Sequence, residues 1–206
     1  MNELKKNTEI KIIKDFSKYT NVFLEENNKI NLISKNDEKV LFQKHIYDSL
    51  AIKLTNIIKD GQTLLDIGCG GGFPSIPIAI EYPNINVVGI DSIQKKIKAI
   101  NNIKNALNIK NLTTICDRIE NIKNKKFDII TSRAVAKLAK ITEYALPLLK
   151  KDGYFVAYKS KKATEELHEA NSVLSKFNAE VIDIINYTLP LEDIYERNLI
   201  IIGFIN

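Results

Sequence analysis

A chain of 206 residues, 45% hydrophobic and 27% charged, has the size of one ordinary domain with a modest extension and the balance of a soluble globular protein. Its 30 Lys and Arg against 25 Asp and Glu leave a formal +5, which suits an anionic partner such as nucleic acid but is shared by many enzymes without one. No apolar run approaches the ~20 residues of a membrane span, and Cys69 and Cys116 have neither CxxC spacing nor a His/Cys cluster, which argues against a metal site or disulfide framework and for reduced thiols.

The opening Met1-Asn2-Glu3-Leu4-Lys5-Lys6 lacks the apolar stretch of a signal peptide, so a cytoplasmic protein is expected. Up to about residue 60 the pattern is helical. Ile12, Ile13, Phe16, Tyr19 and Phe23 recur at three- and four-residue intervals. After a loop at 31–35, Asn36 can cap a second helix carrying Val40, Leu41, Ile46 and Leu50. Asp60-Gly61 makes a turn, so residues 1–60 are expected to form an N-terminal helical extension to a domain at 61–206.

Beyond this turn short apolar runs alternate with amphipathic stretches. Strands are expected at 63–67, 86–90, 112–115, 127–131 and 154–158, with helices at 75–82, 94–107, 137–149 and 161–177. The alternation implies an α/β fold, a parallel sheet covered by helices on both faces. The tail differs: 181–189 and 199–205 read as two strands with no helix between them, an antiparallel pair at the sheet edge. A mostly parallel seven-stranded sheet with an antiparallel final strand resembles the Rossmann-like class I methyltransferases.

The first strand runs into Asp66-Ile67-Gly68-Cys69-Gly70-Gly71-Gly72. In doubly wound sheets ligands bind where such turns leave the carboxyl ends of the strands. Glycine keeps side chains out of the cofactor's way and supplies positive φ, and the following helix can offer N-terminal amides to a polar ligand. The dinucleotide fingerprint GxGxxG fails in both frames, placing Phe73 or Ser75 at the last glycine. An acid followed by alternating glycines is instead similar to the first motif of class I methyltransferases, which implies S-adenosylmethionine, with Asp66 near its amino-acid part and Gly68, Gly70 and Gly72 under its sugar. Asp91 follows Gly72 by 19 residues and ends the second strand, where a carboxylate can accept both ribose hydroxyls. A glycine-rich turn can also serve only to pack a helix closely; the acid before it and the spacing of Asp91 favour a ligand.

The string from Asp66 through Phe73-Pro74-Ser75-Ile76-Pro77-Ile78-Ala79-Ile80 resembles the signature of the glucose-inhibited division protein B family, bacterial 16S rRNA guanine-N7 methyltransferases. Upstream, Lys44-His45-Ile46-Tyr47-Asp48-Ser49-Leu50 is similar to the family's RHxxDSL and Asn31-Leu32-Ile33-Ser34 to its NLTS. Downstream, Ser132-Arg133-Ala134 matches its SRA and Glu196-Arg197-Asn198-Leu199 its ERxL. Lys44 stands where the family has Arg, Ser75 where it has Gly, and Glu26 where Trp is common. Lys for Arg matters most if that side chain forks onto a phosphate. The resemblance implies cofactor contacts at Gly68 and Phe73, ribose at Asp91, adenine between Ile119 and Glu120, and Arg133 at the cofactor site beside the transfer cleft.

Guanine N7 carries a lone pair and no proton, so alignment and desolvation suffice and no general base is required. That agrees with a chain holding only His45 and His168 and no convincing nucleophile. The residues after the fourth strand, Thr131-Ser132-Arg133-Ala134, lack the Asn/Asp-Pro-Pro string of amino-group methylation, and neither cysteine is placed for C5 methylation of cytosine. Arg133, His45 and Asp48 are expected to position substrate: Arg133 on guanine O6 or a phosphate, or else in a salt bridge closing the pocket. His45 and Asp48 could equally pin their helix to the catalytic domain. Lys95-Lys96, Lys104, Lys110, Arg118 and Lys159-Ser160-Lys161-Lys162, each by itself readable as a solvated surface charge, together read as a phosphate track near the cofactor edge. The expected partner is 16S rRNA or the small ribosomal subunit, met by a monomer without metal, with a splayed loop guanine as target. Readings left open are the same fold acting on another RNA or a small molecule, and a non-catalytic assembly factor.

Overall fold

The computed structural model describes residues 9–160 and 163–205. Strands β1 (Thr63–Ile67), β2 (Asn86–Asp91), β3 (Leu112–Cys116), β4 (Phe127–Arg133), β5 (Leu149–Ser160), β6 (Ala179–Leu189) and β7 (Tyr195–Phe204) form one sheet in the order β3-β2-β1-β4-β5-β7-β6. The first five run parallel. β7 is inserted antiparallel to both β5 and β6. Its run from Asn198 to Gly203 is buried throughout, which is what a strand covered on both faces needs. The fold class and the antiparallel final strand expected from the sequence are both present.

Side chains alternate between the two faces. Leu64, Val87, Ile129, Val156 and Ile201 join one buried cluster, and Leu65, Ile90, Ile130, Ala157 and Ile202 the other. Helices α5 (Leu138–Ala145) and α6 (Ala163–Lys176) cover the second face. The first is covered by α3 (Ser75–Glu81), α4 (Gln94–Ala106) and the N-terminal segment: Phe16, Tyr19, Phe23, Ile46, Leu50 and Ile52 lie in the same core as the strands.

The N-terminal segment departs from the expected pair of helices. α1 (Ser17–Ile30) begins after Phe16, with Asp15 accepting the Ser17 amide, and Asn31 ends it at φ 53°. Ile12 and Ile13 precede it. The amides of Ile13 and Lys14 instead donate to the buried Glu81 carboxylate, so this stretch is fastened to α3 in a non-helical form. Ser34, not Asn36, caps the four-residue α2 (Lys35–Glu38). Then come a π-helical turn at Phe42–Tyr47 and a 3-10 turn at Leu50–Thr55. Periodicity cannot distinguish such a broken run from one continuous helix, and π turns gather at functional sites.

Candidate active site

Strand order reverses between β1 and β4, and the turn leaving β1 sits at this switch point. Gly68, Gly70 and Gly72 have φ of 69°, 55° and 89°. A Cβ on Gly68 would lie 2.4 Å from a Val135 methyl, and one on Gly72 2.4 Å from Cδ1 of Ile76. Gly72 is thus demanded by close approach to the fully buried Ile76 as well as by backbone conformation, whereas Gly68 is demanded by its φ, since the exposed Val135 side chain can turn aside. At the end of β2, Asp91 accepts the Gly70 amide at 3.0 Å and the Ile93 amide at 2.9 Å, tying the turn to the next strand. Each carboxylate oxygen retains acceptor capacity.

Two cavities open along this edge. The larger, about 420 Å3, lies between the glycine turn, Phe73, His45, Asp48, Arg133 and Arg197. The smaller, about 300 Å3, lies between Asp91, Ser92, Ile119, Glu120, Ile141 and Tyr144. Gly68, Asp91 and Val135 border both. A nucleoside carrying an amino-acid arm fits this double cleft: apolar Ile119 and Ile141 with the Glu120 carboxylate suit an adenine, Asp91 a pair of ribose hydroxyls, and the bare glycine turn a chain passing into the larger cavity.

Asp66 is placed otherwise than expected. It is fully buried beneath the turn and lines neither cavity. Its oxygens accept the Ser75 amide at 3.1 Å and the Thr131 hydroxyl at 3.1 Å, joining the start of α3 to β4. Burial pushes its carboxyl up to about 7 against those two hydrogen bonds. The N-terminal amides of α3 are also spent internally, Ser75 on Asp66 and Ile76 on the Gly72 carbonyl, so the helix terminus is not the ligand site that its sequence suggested. Gly72 likewise supports the turn from behind, whereas Gly68, Gly70 and Phe73 face the larger cavity.

Asp48 is the hub of the larger cavity's floor. Only 2% of its side chain is exposed. It accepts from Arg133 Nη1 at 2.9 Å, from the Tyr187 hydroxyl at 2.6 Å, and from Arg197 Nε and Nη2 at 3.2 Å each. Burial alone would raise its carboxyl, but Arg133 and Arg197 outweigh it and hold the group below the usual range. Arg133 Nη2 also meets His45 Nδ1 at 3.0 Å, and its guanidinium lies 5.1 Å from the Phe73 ring centroid. Phe73 in turn packs on His45 and on Phe23 of α1. The alternatives left open for Arg133, His45 and Asp48 therefore merge: they pin the N-terminal segment to the sheet and line the cavity at once.

His45, between Arg133 and Phe73, is held down to about 4, first by burial and then by the neighbouring guanidinium. The folded protein therefore lacks a proton that the unfolded chain gains below its ordinary 6.5. The stability this confers is complete above that pH and is lost as pH falls toward about 4. Asp66 acts oppositely, since the folded state keeps its proton up to about 7 and its contribution fades as pH rises from 3.8. Comparing wild type with His45→Gln cancels the Asp66 contribution. The wild type's Tm, relative to the variant's, is expected to drop steadily from pH 7 to 4.5 in thermal melts; a constant difference would contradict a neutral buried His45.

The basic track is only partly assembled. Lys96 borders the larger cavity and Arg118 the smaller. Lys104 and Lys110 flank the turn from α4 to β3. That is the opposite edge of the sheet, because a 13-residue helix carries the chain about 20 Å away. Lys159 is bound to Glu166 at 2.6 Å and to the Ala136 carbonyl; Lys161 and Lys162 lie outside the described residues. Lys44 is paired with Asp37 at 2.6 Å. Arg197, Leu189 and Tyr195 also line the larger cavity; no local pattern in the sequence marks Leu189 or Tyr195, whereas Arg197 stands in the Glu196-Arg197-Asn198-Leu199 string. Among the described residues, no group of three or more His, Cys, Asp or Glu could hold a metal, and no helix is long and apolar enough to cross a membrane.

Solved structures confirm the architecture. The TYW2 protein of M. jannaschii, determined in complex with AdoMet, superposes with a TM-score of 0.62 at 15% identity over 86% of this chain and 80% of that one. A ribosomal protein L11 methylase from Lactobacillus delbrueckii gives 0.60 at 14% identity over 78% and 80%. At such identities the likeness concerns the fold. Sequence relatives go further. Ribosomal RNA small subunit methyltransferase G of Staphylococcus saprophyticus is 41% identical over 91% of this chain and 80% of its own length. The Bacillus subtilis protein of that name is 36% identical over 92% and 81%. Residues 12–195 match the GidB family, described as rRNA small subunit methyltransferase G, and the chain belongs to that family.

Proposed function

We propose that this chain is an S-adenosylmethionine-dependent methyltransferase that modifies N7 of a guanosine in a decoding-region loop of 16S rRNA, acting as a cytoplasmic monomer. The double cleft around Gly68, Asp91 and Val135, in a member of a small-subunit rRNA methyltransferase family, carries the reading. S-adenosylmethionine, when bound, supplies a methyl on a sulfonium that an aromatic nitrogen lone pair can attack.

The protein's residues supply position and dryness. Asp91 takes the ribose, Ile119 and Glu120 the adenine, and Gly68, Gly70 and Phe73 shape the passage between the cavities. Arg133, His45 and Asp48 hold the N-terminal segment over the larger cavity, so that an entering base meets a preorganised wall. None of them is needed as a base. His45 is neutral at pH 7 and its Nδ1 faces Arg133. Asp48 is saturated by cations. Asp66 is sealed away beneath the turn. This is what an acceptor without a proton permits.

Incubating the purified protein with labelled S-adenosylmethionine and small subunits or 16S rRNA lacking N7 methylation tests the proposal. Nucleoside digests are expected to contain labelled 7-methylguanosine. Label in an amino-methylated guanosine, in a pyrimidine or in ribosomal protein would overturn it.

A further inference from the structure

If adenosine fills the smaller cavity, the target base reaches the transfer point through the larger one. Part of its wall belongs to the end of β6 and the start of β7: Leu189, Tyr195 and Arg197. Arg197 spends Nε and Nη2 on Asp48, while its Nη1 makes no hydrogen bond among the described residues. With 14% of its side chain exposed, the guanidinium is fixed in the wall. Arg133, its neighbour on the same Asp48 oxygen, is committed on both terminal nitrogens, to Asp48, the Lys44 carbonyl and His45, and its face lies near Phe73. Two guanidiniums share one carboxylate, and His45 beside them is uncharged at neutral pH, so the wall carries an excess positive charge.

The Hoogsteen edge of guanine presents two acceptors, N7 and O6, and N7 must stay free for the incoming methyl. Adenine presents an amino donor where guanine has O6. A fixed cation with an open donor pair accepts the first and repels the second. A backbone phosphate has a better partner in Lys96, half-buried at the same cavity with no ion pair among the described residues.

We propose that Arg197, through Nη1, reads O6 of the target guanine and so selects guanine over adenine, with the half-exposed Tyr195 ring as the base's platform. This rests on the N7 reading above. The residue is specificity-determining: it touches the base and takes no proton.

The test uses small subunits reconstituted with 6-thioguanosine at the target, which keeps N7 but replaces O6 with sulfur, a weak acceptor. Wild-type kcat/KM is expected to fall about 10- to 100-fold on this substrate, the loss of one charge-assisted hydrogen bond. Arg197→Lys, shown by thermal melt and S-adenosylmethionine titration to fold and to bind cofactor as wild type does, should start lower and discriminate by less than about threefold. Equal discrimination by both proteins overturns the assignment, as does a weakened cofactor Kd in the variant, which would give Arg197 to the cofactor. If the variant fails to fold, the wild type decides: discrimination below about threefold overturns the assignment, and tenfold or more sustains it. Absence of 7-methylguanosine from wild type on unmodified subunits is a separate result, which removes the N7 reading and the assignment together.

Discussion

Asp48→Ala is expected to destabilise the protein by about 3–5 kcal/mol, among the largest effects of any single substitution. The carboxylate is buried and bound by Arg133, Arg197 and Tyr187. Its removal leaves two guanidiniums in the wall with no counter-charge, and breaks the tie between the N-terminal segment and strands β4, β6 and β7. Asp48→Asn keeps the shape and part of the hydrogen bonding and should lose less. Denaturant unfolding followed by circular dichroism measures both. A loss below about 1 kcal/mol for alanine, the range of an exposed pair, would show that the cluster is solvated rather than a structural hub.

Asp91→Ala is expected to raise the Kd for S-adenosylmethionine about 100-fold or more. Two hydrogen bonds from ribose hydroxyls to a carboxylate, at about 1.5–3 kcal/mol each, correspond to at least that factor. The side chain also holds the Gly70 amide, so its loss slackens the turn as well. Calorimetric titration reads the affinity, and the thermal midpoint of the free variant separates binding from folding. A Kd within about threefold of wild type would remove Asp91 from the cofactor site.

Much of this was legible because local chemistry wrote it. Gly68, Gly70 and Gly72 need positive φ, a demand few residues other than glycine meet, so their spacing carries structural meaning. The parallel strands are short apolar runs between amphipathic helices, and Asp91 falls at a strand end, where ligand-binding acids belong. The double cleft brings Gly68, Phe73, Asp91, Ile119, Glu120, Arg133, His45 and Asp48 to one edge of the sheet.

What stayed hidden depended on long-range burial. Asp66 has the spacing of a cofactor acid, yet only the packed sheet reveals that its oxygens face Ser75 and Thr131. The hub at Asp48 joins residues as far apart in sequence as Arg197, 149 positions away, and no window of sequence contains that pairing. The first helix begins later than its apolar pattern suggests because the amides of Ile13 and Lys14 are taken by the distant Glu81 carboxylate. Lys104 and Lys110 fall at the opposite edge from the one expected, because basic composition says nothing about where a helix ends.

The most direct measurement of the central claim is a map of 7-methylguanosine in 16S rRNA from cells with and without this gene. The account predicts one guanosine, in a loop of the decoding region, that is methylated at N7 when the gene is present and unmethylated when it is deleted. Restoring the wild-type gene should restore the mark, and an Asp91→Ala copy should not. An identical map in both cells would contradict the assignment to guanine N7 of 16S rRNA while leaving the fold and its cofactor cleft in place.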